Sequence, residues 1–100
     1  MSQTTLTILR VARSSRPGLV ARIILGEVER QGRAEMRALG AGAVYQAVKA
    51  LAIVCRERRD LVVVPGVVTV EEEGKAKSIT RFVVRPRRRP RAEKADNQEA

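Results

Sequence analysis

The spacing of hydrophobic and polar residues predicts a strand followed by a helix at the start of the chain. Residues 4–12 are rich in Thr, Leu, Ile and Val, which favour a strand. Residues 17–31 repeat apolar side chains at helical spacing, with Pro17 suited to the first turn and Gly32 to the end. The apolar stripe of this predicted helix consists of Val20, Ile23, Ile24 and Val28.

A second strand and a second helix follow. Residues 34–39 alternate apolar and charged side chains, which predicts a short strand with one face in water. A long helix is predicted over residues 43–58, and its main apolar stripe consists of Val44, Val48, Leu51, Ala52 and Cys55. Because further apolar residues lie on its other sides, we expect the sheet to cover one side and a second subunit to cover another.

The last two predicted strands form a hairpin. Residues 61–70 are mostly Val, and the Pro65-Gly66 pair within them predicts an edge strand or a bulge. Glu71-Glu72-Glu73-Gly74 is the predicted turn, and residues 75–85 form the return strand. One face of that strand is basic and the other packs inward. The basic face has Lys77, Arg81 and Arg85, and the packed face has Thr80, Phe82 and Val84.

The element order is therefore βαβαββ, which predicts an α/β two-layer sandwich with both helices on one face of a four-stranded mixed sheet. We expect residues 1–86 to form a single domain. Residues 87–100 are expected to form a disordered, arginine-rich tail. The chain shows neither a signal peptide nor an apolar run of membrane-spanning length, so we expect a cytoplasmic protein without a membrane partner.

Charge adds a class of partner to this fold. The chain has 20 Lys and Arg against 11 Asp and Glu, a net charge of +9. Such an excess favours DNA, RNA or another polyanion, although a merely soluble basic surface is the alternative. Residues 1–85 contain 15 basic and 8 acidic side chains, so most of the excess belongs to the predicted domain.

Several chemistries are absent from the composition. The chain has no histidine, so a Ser-His-Asp or Cys-His site cannot be built. Cys55 is its single cysteine, which excludes an intrachain disulfide and a cysteine metal cluster and favours a small core residue. We therefore expect a protein that is not an enzyme, with no catalytic residues, metal site or cofactor.

Two candidate phosphate contacts precede the two helices. The Gly40-Ala41-Gly42-Ala43 stretch lets backbone approach a ligand at a helix N-terminus, and Gln46 with Lys49 could add polar contacts. The alternative for the glycines is a tight turn and close subunit packing. Arg13 and Arg16 flank serines before the first helix, where they suit phosphate contacts or form a solvated loop.

A third candidate is the basic face of the last strand with the tail. It consists of Arg81, Arg85, Arg87, Arg88, Arg89 and Arg91. Arginine-rich arms bind nucleic acid by charge, with steep salt dependence, although such a run can be only solubilising. Tyr45 and Phe82 are the only aromatic residues, and Phe82 is expected in the core, so base stacking is minor unless Tyr45 is exposed.

The stretch from residue 13 to residue 56 resembles the stage V sporulation protein S family of bacteria. The residues that carry this resemblance are Gly40-Ala41-Gly42-Ala43, Gln46-Ala47-Val48-Lys49-Ala50 and Ala52-Ile53, with Pro17, Val20-Ala21, Gly32, Glu35, Asp60-Leu61 and Pro65 also in place. It extends over about residues 6–86. That family is similar to the Alba superfamily, which implies a βαβαββ fold and binding of DNA or RNA as a dimer.

The resemblance also implies a set of binding residues. Alba proteins use the loop before the first helix, the glycine loop before the second helix and the hairpin. These correspond here to Arg13, Arg16, Gly40, Gly42, Gln46, Lys49, Lys75 and Lys77. This sequence departs from the family at Tyr45, in the short connection over residues 56–60 and at the hairpin glutamates, which would repel phosphate.

The leading hypothesis is therefore a nucleic-acid-binding regulatory or nucleoid-associated protein. It would form a homodimer or higher homo-oligomer through the second helix. It would bind nucleic acid with little preference for base sequence. The alternatives are a protein-interaction scaffold in sporulation or cell-development regulation and a small-ligand binder at residues 40–49. The sequence does not separate DNA from RNA.

Overall fold

The computed structural model describes residues 7–88 and has the element order βαβαββ. The six elements are β1 (Ile8–Val11), α1 (Pro17–Gln31), β2 (Ala34–Ala38), α2 (Ala41–Glu57), β3 (Leu61–Glu72) and β4 (Lys75–Pro86). This confirms the predicted order. The first residues of the predicted opening strand, 4–6, and the tail from residue 89 onward lie outside the described residues.

The four strands form one mixed sheet in the order β1-β2-β4-β3. β1 pairs with β2 in parallel, and the other two pairings are antiparallel. The helices pack against each other and against the sheet, so the molecule has two layers. We call the sheet face turned away from the helices the open face; it carries Arg10, Arg37, Arg81 and Arg85.

The core lies between the helices and the sheet. Ile24 of α1 and Val54 of α2 are fully buried, as are Met36 of β2 and Val84 of β4. Met36 pairs with the buried Phe82, so alternate residues of both strands face the helices. This confirms the predicted inward parity of the last strand.

The predicted apolar stripe of the second helix is correct at Leu51 but wrong at Val48 and Ala52. The side chains that α2 buries are Ala43, Ala47, Ala50, Leu51 and Val54. Val48 and Ala52 are exposed instead, and Val44 and Cys55 are half-buried. The buried stripe consists mostly of alanines because small side chains let the helix lie close to α1 and the sheet, whereas hydrophobicity alone favoured the larger residues.

Smaller corrections concern exposure and element ends. Ile23 of α1 is exposed rather than buried. α2 begins at Ala41, two positions before the predicted start, since Gly40 takes the N-cap position with a φ of 94°. Leu39 lies beyond β2 and is exposed, whereas Glu35, expected in water, is buried.

The hairpin is longer than predicted. β3 continues to Glu72, and the turn consists of Glu73 and Gly74, with φ values of 53° and 76°. Two positive φ values are typical of a type I′ turn, whose twist matches that of the strands. Pairing with β4 runs without a bulge from Leu61 to Glu72, and β3 is an edge strand, as Pro65 predicts.

Candidate nucleic-acid interface

Three of the predicted contact regions lie at one end of the sheet. β1, β2 and β3 run in the same direction, because β2 and β3 are both antiparallel to β4. Their carboxyl ends therefore point the same way. We call this the loop end; it contains the loop at residues 12–16, the junction at residues 39–42 and the hairpin arm at residues 68–79, which extends past β2.

Arg13 and the first two turns of α2 are in direct contact. The Gln46 Nε2 donates a hydrogen bond to the Arg13 carbonyl oxygen at 3.2 Å. A Cβ atom on Gly42 would lie 2.8 Å from the Arg13 Cγ and 2.9 Å from its Cδ. The missing side chain of Gly42 thus makes room for the stem of Arg13, which lies across the start of the helix.

The loop that carries Arg13 is closed by a serine. The Ser15 Oγ accepts a hydrogen bond from the Ala12 N–H at 2.8 Å, and the Ser15 N–H donates to the Ala12 carbonyl oxygen at 2.9 Å. Arg16 is the N-cap residue of α1, and Pro17 is the first residue of that helix. Both arginine side chains are exposed, so the loop presents two cations to solvent.

Lys49 lies beside the only exposed aromatic ring in the described residues. Its Nζ lies 4.9 Å from the centroid of the Tyr45 ring, a cation–π contact. We expected base stacking only if Tyr45 were exposed, and this residue is 60% exposed. A cation and an aromatic ring therefore lie next to each other on the exposed surface of α2.

The hairpin arm carries charges of both signs. The Lys77 Nζ forms an ion pair with the Glu72 Oε1 at 3.2 Å. Lys75 is exposed next to the turn, and Glu71 and Glu73 are exposed around it. The lysines predicted as contacts are present at the loop end, but the neighbouring glutamates reduce their field.

The remaining predicted contacts lie elsewhere on the molecule. Arg81 is in the middle of the open face, and Arg85, Arg87 and Arg88 are at the end of β4 opposite the loop end. β4 is twelve residues long from Lys75 to Pro86, a span of about 36 Å. Arg89 lies outside the described residues. The structure therefore divides the predicted set between two ends of the sheet.

That opposite end is tied together by Asp60. The Arg58 Nη2 lies 2.6 Å from the Asp60 Oδ2, and this hydrogen bond lowers the pKa of Asp60 and raises the pKa of Arg58. The Asp60 carbonyl oxygen accepts a hydrogen bond from the Arg87 N–H at 2.7 Å. One basic side chain here is therefore neutralised by its neighbour.

Sequence reasoning identified Arg81 and Arg85 but missed the other two arginines of the open face, Arg10 and Arg37. Glu35 is buried because the Arg37 Nε donates to it at 3.0 Å and Arg33 lies at 3.5 Å. Arg10 lies on the neighbouring strand in register with Arg37. The alternation over residues 33–37 did indicate a charged face, but it gave no sign of the strand that would lie beside it.

No group of three or more His, Cys, Asp or Glu side chains in residues 7–88 could hold a metal ion. No helix in this range is long and apolar enough to cross a membrane.

The order βαβαββ, the two layers and the mixed sheet define an Alba-like α/β protein. The family model of stage V sporulation protein S, SpoVS, matches residues 7–87. The chain belongs to this family. Membership supports a sporulation-related regulatory role.

Proposed function

We propose that this protein binds nucleic acid at the loop end, mainly through phosphate contacts and with little sequence preference. The observation that carries this proposal is the placement of Arg13, which Gly42 and Gln46 hold across the start of α2. A regulatory or nucleoid-associated protein of the cytoplasm would act in this way.

The two helices add positive potential at the same end. α1 and α2 follow β1 and β2, so both N-termini are at the loop end. Neither helix has an acidic residue in its first turn or a side-chain cap within residues 7–88. Helix N-termini with unsatisfied N–H groups favour phosphate. The exposed Arg13 and Arg16 add positive charge beside them, and Lys49 adds a further cation about two turns into α2.

The charge balance supports a folded interface rather than a tail-driven one. Residues 7–88 contain 17 basic and 8 acidic side chains, which equals the full net charge of +9. Residues 89–100 contain three of each sign. The long-range attraction to a polyanion therefore comes from the described domain.

We also propose a homodimer in which α2 is covered by a second copy. Tyr45 and Val48 are large exposed apolar residues on this helix, 60% and 48% exposed. A chain of this size gains stability when such residues are buried in a partner. Pairing would bring two loop ends into one assembly.

A salt series of binding measurements tests the proposed function. Fluorescence anisotropy with duplex DNA, single-stranded DNA and RNA is expected to show binding that weakens steeply as salt rises. The double variant Arg13→Gln/Lys49→Gln should bind more weakly. The slope of its log affinity against log salt concentration should fall by the equivalent of about two phosphate contacts. Arg56→Gln with Arg59→Gln removes the same charge at the other end and is the matched control.

Two outcomes would overturn the proposal. The first is no binding at low salt and micromolar protein for any of the three nucleic acids. The second is an equal loss of affinity in the two double variants, because that result would make net charge, not the loop end, responsible.

The specific alternative is a protein-interaction scaffold without direct nucleic-acid binding. Leu19, Tyr45 and Val48 are exposed on the helices, which favours contact with another protein surface. Absence of nucleic-acid binding together with a stable assembly would support this alternative. We propose a binding protein rather than an enzyme in either case, since the chain has no histidine.

A further inference from the structure

Three arginines stand side by side across the open face of the sheet. Arg10 pairs in register with Arg37, and Arg37 pairs in register with Arg81. Neighbouring strands lie about 4.8 Å apart, so the three Cα atoms fall within about 10 Å. We call these three residues the arginine row. On the next strand, β3, the residue in register with Arg81 is Gly66.

The arginine row is poorly neutralised. Like charges directly opposite each other in a sheet are unfavourable. Glu35 pairs with Arg37 and also with Arg33, whereas Arg10 and Arg81 form no ion pair within residues 7–88. The face therefore keeps an excess of positive charge that folding alone does not require.

The Arg81 guanidinium packs against a neighbouring strand, but one of its N–H groups has no hydrogen-bond acceptor. Its Nη2 would lie 3.5 Å from a Cβ atom on Gly66, so the guanidinium lies along the glycine. Its Nε is buried and has no hydrogen-bond partner in the described part of the chain. An anionic partner would bind the Nη atoms of this half-buried side chain, since the Nε is out of its reach.

The arginine row borders a cavity of about 330 Å³ beneath the hairpin arm. Arg10 and Arg37 are on one side of it, and Leu39, Val70 and Ile79 supply apolar walls. Its remaining lining is Val11 with Glu71, Glu72 and Lys77. This volume is in the range of small-molecule sites, which combine apolar walls with a few placed polar groups.

We propose that this cavity and the arginine row bind a small phosphorylated molecule with a flat apolar body, of the mononucleotide class. Arg10 and Arg37, which line the cavity, would bind the phosphates together with Arg81, which lies next to Arg37 outside the lining. The flat body would lie between Leu39, Val70 and Ile79. Glu71 and Glu72 at the cavity favour a compact ligand charged at one end over a long polyanion. The site lies at the loop end and shares Lys77 with the predicted contacts there, but it includes neither Arg13 nor Lys49 and does not depend on nucleic-acid binding by them.

Calorimetric titration of the full chain with ADP, in the absence of metal, tests this site. We expect saturable binding that weakens by about tenfold in Arg10→Gln and in Arg81→Gln, because each variant loses a charge-assisted contact. Arg22→Gln, an exposed charge on the helix side, is the matched control and should bind like the parent. Inorganic pyrophosphate should bind at least about tenfold more weakly than ADP, since it lacks the apolar body.

Thermal unfolding separates loss of binding from loss of fold. Because the row is made of like charges, both row variants should melt no lower than the parent without ligand. ADP should also shift the amide resonances of Val70 and Ile79 in a heteronuclear spectrum.

Three results would overturn the proposal. They are no saturable ADP binding below about 1 mM, an equal loss in the Arg22 control, and shifts confined to Gly40 and Gly42. Equal affinity for pyrophosphate and ADP would refute the apolar part of the site. Loss of oligonucleotide binding in both row variants, without ADP binding, would assign this face to nucleic acid instead.

Discussion

At the scale of single residues, Gly42 has a specific task. A glycine within a helix lowers the stability of a protein by about 0.5–1 kcal/mol relative to alanine. Gly42 lies in the first turn of α2, where a Cβ atom would meet the stem of Arg13. The cost of glycine is explained by the position that it allows Arg13 to take.

The Gly42–Arg13 contact leads to a prediction about binding. Gly42→Ala should displace Arg13 and weaken nucleic-acid binding as much as Arg13→Gln does, by roughly fivefold for one lost phosphate contact. The double variant should bind no more weakly than either single variant, because the two changes remove one interaction. Anisotropy titrations at fixed salt measure all three.

Gly26→Ala is the control for this comparison. Nothing lies within 4 Å of a Cβ atom at Gly26, so alanine should leave binding unchanged and raise stability by about 0.5–1 kcal/mol. Additive losses in the Gly42 and Arg13 double variant would contradict the coupling.

Glu73 is a second residue whose backbone predicts an effect. Its φ of 53° is unfavourable for a residue with a Cβ atom, and asparagine tolerates it better. Glu73→Asn should raise the free energy of unfolding by up to about 1 kcal/mol in urea denaturation. Glu71→Gln removes the same charge from a regular strand position and should not stabilise; an equal gain there would assign the effect to charge.

At the scale of elements, α2 buries mostly alanines and leaves two larger apolar residues outside. Ala47 and Ala50 are fully buried, whereas Tyr45 and Val48 are exposed. The helix is apolar on both sides, so periodicity alone did not show which side meets the sheet. The exposed side is the surface that we assign to a second copy.

A charge placed on that side should therefore separate the copies. Val48→Asp is expected to convert a dimer to a monomer in size-exclusion chromatography with light scattering, since an unpaired carboxylate is costly in an apolar interface. Val67→Asp makes the same change at a position 70% exposed on β3 and should leave the mass unchanged. A parent that is already monomeric, or a dimeric Val48→Asp, would refute this interface.

At the scale of the whole molecule, the placement of charge matters more than its amount. The loop end and the opposite end of β4 both carry arginines, but only the loop end adds two helix N-termini. The opposite end has its Asp60–Arg58 pair. We therefore expect phosphates to bind at the loop end first.

Removing residues 89–100 tests where binding resides. The deletion leaves the net charge at +9, because the removed segment has equal numbers of basic and acidic side chains. The shortened chain should bind with a salt slope within about one contact of the parent. Loss of all binding would instead assign it to Arg89, Arg91 and Lys94 of the removed segment.

Much of the fold was predictable because it depends on local pattern. The order of strands and helices follows from periods of 2 and 3.6 residues. The inward parity of Phe82 and Val84 and the edge position of Pro65 follow from strand chemistry. Candidate contacts at Arg13 and Gly42 were also visible, since charge and glycine mark loops before helices.

The tertiary structure was needed to show which distant segments become neighbours. The strand order places Arg10, Arg37 and Arg81 in one row although 27 and then 44 positions separate them in the chain. It also buries Glu35, separates Arg87 from Arg13 and selects the alanine side of α2. The elements and the inward faces of the strands arise from neighbouring residues, so the sequence was enough to predict them. Register and packing between distant elements determined which side of α2 is buried and where charge gathers.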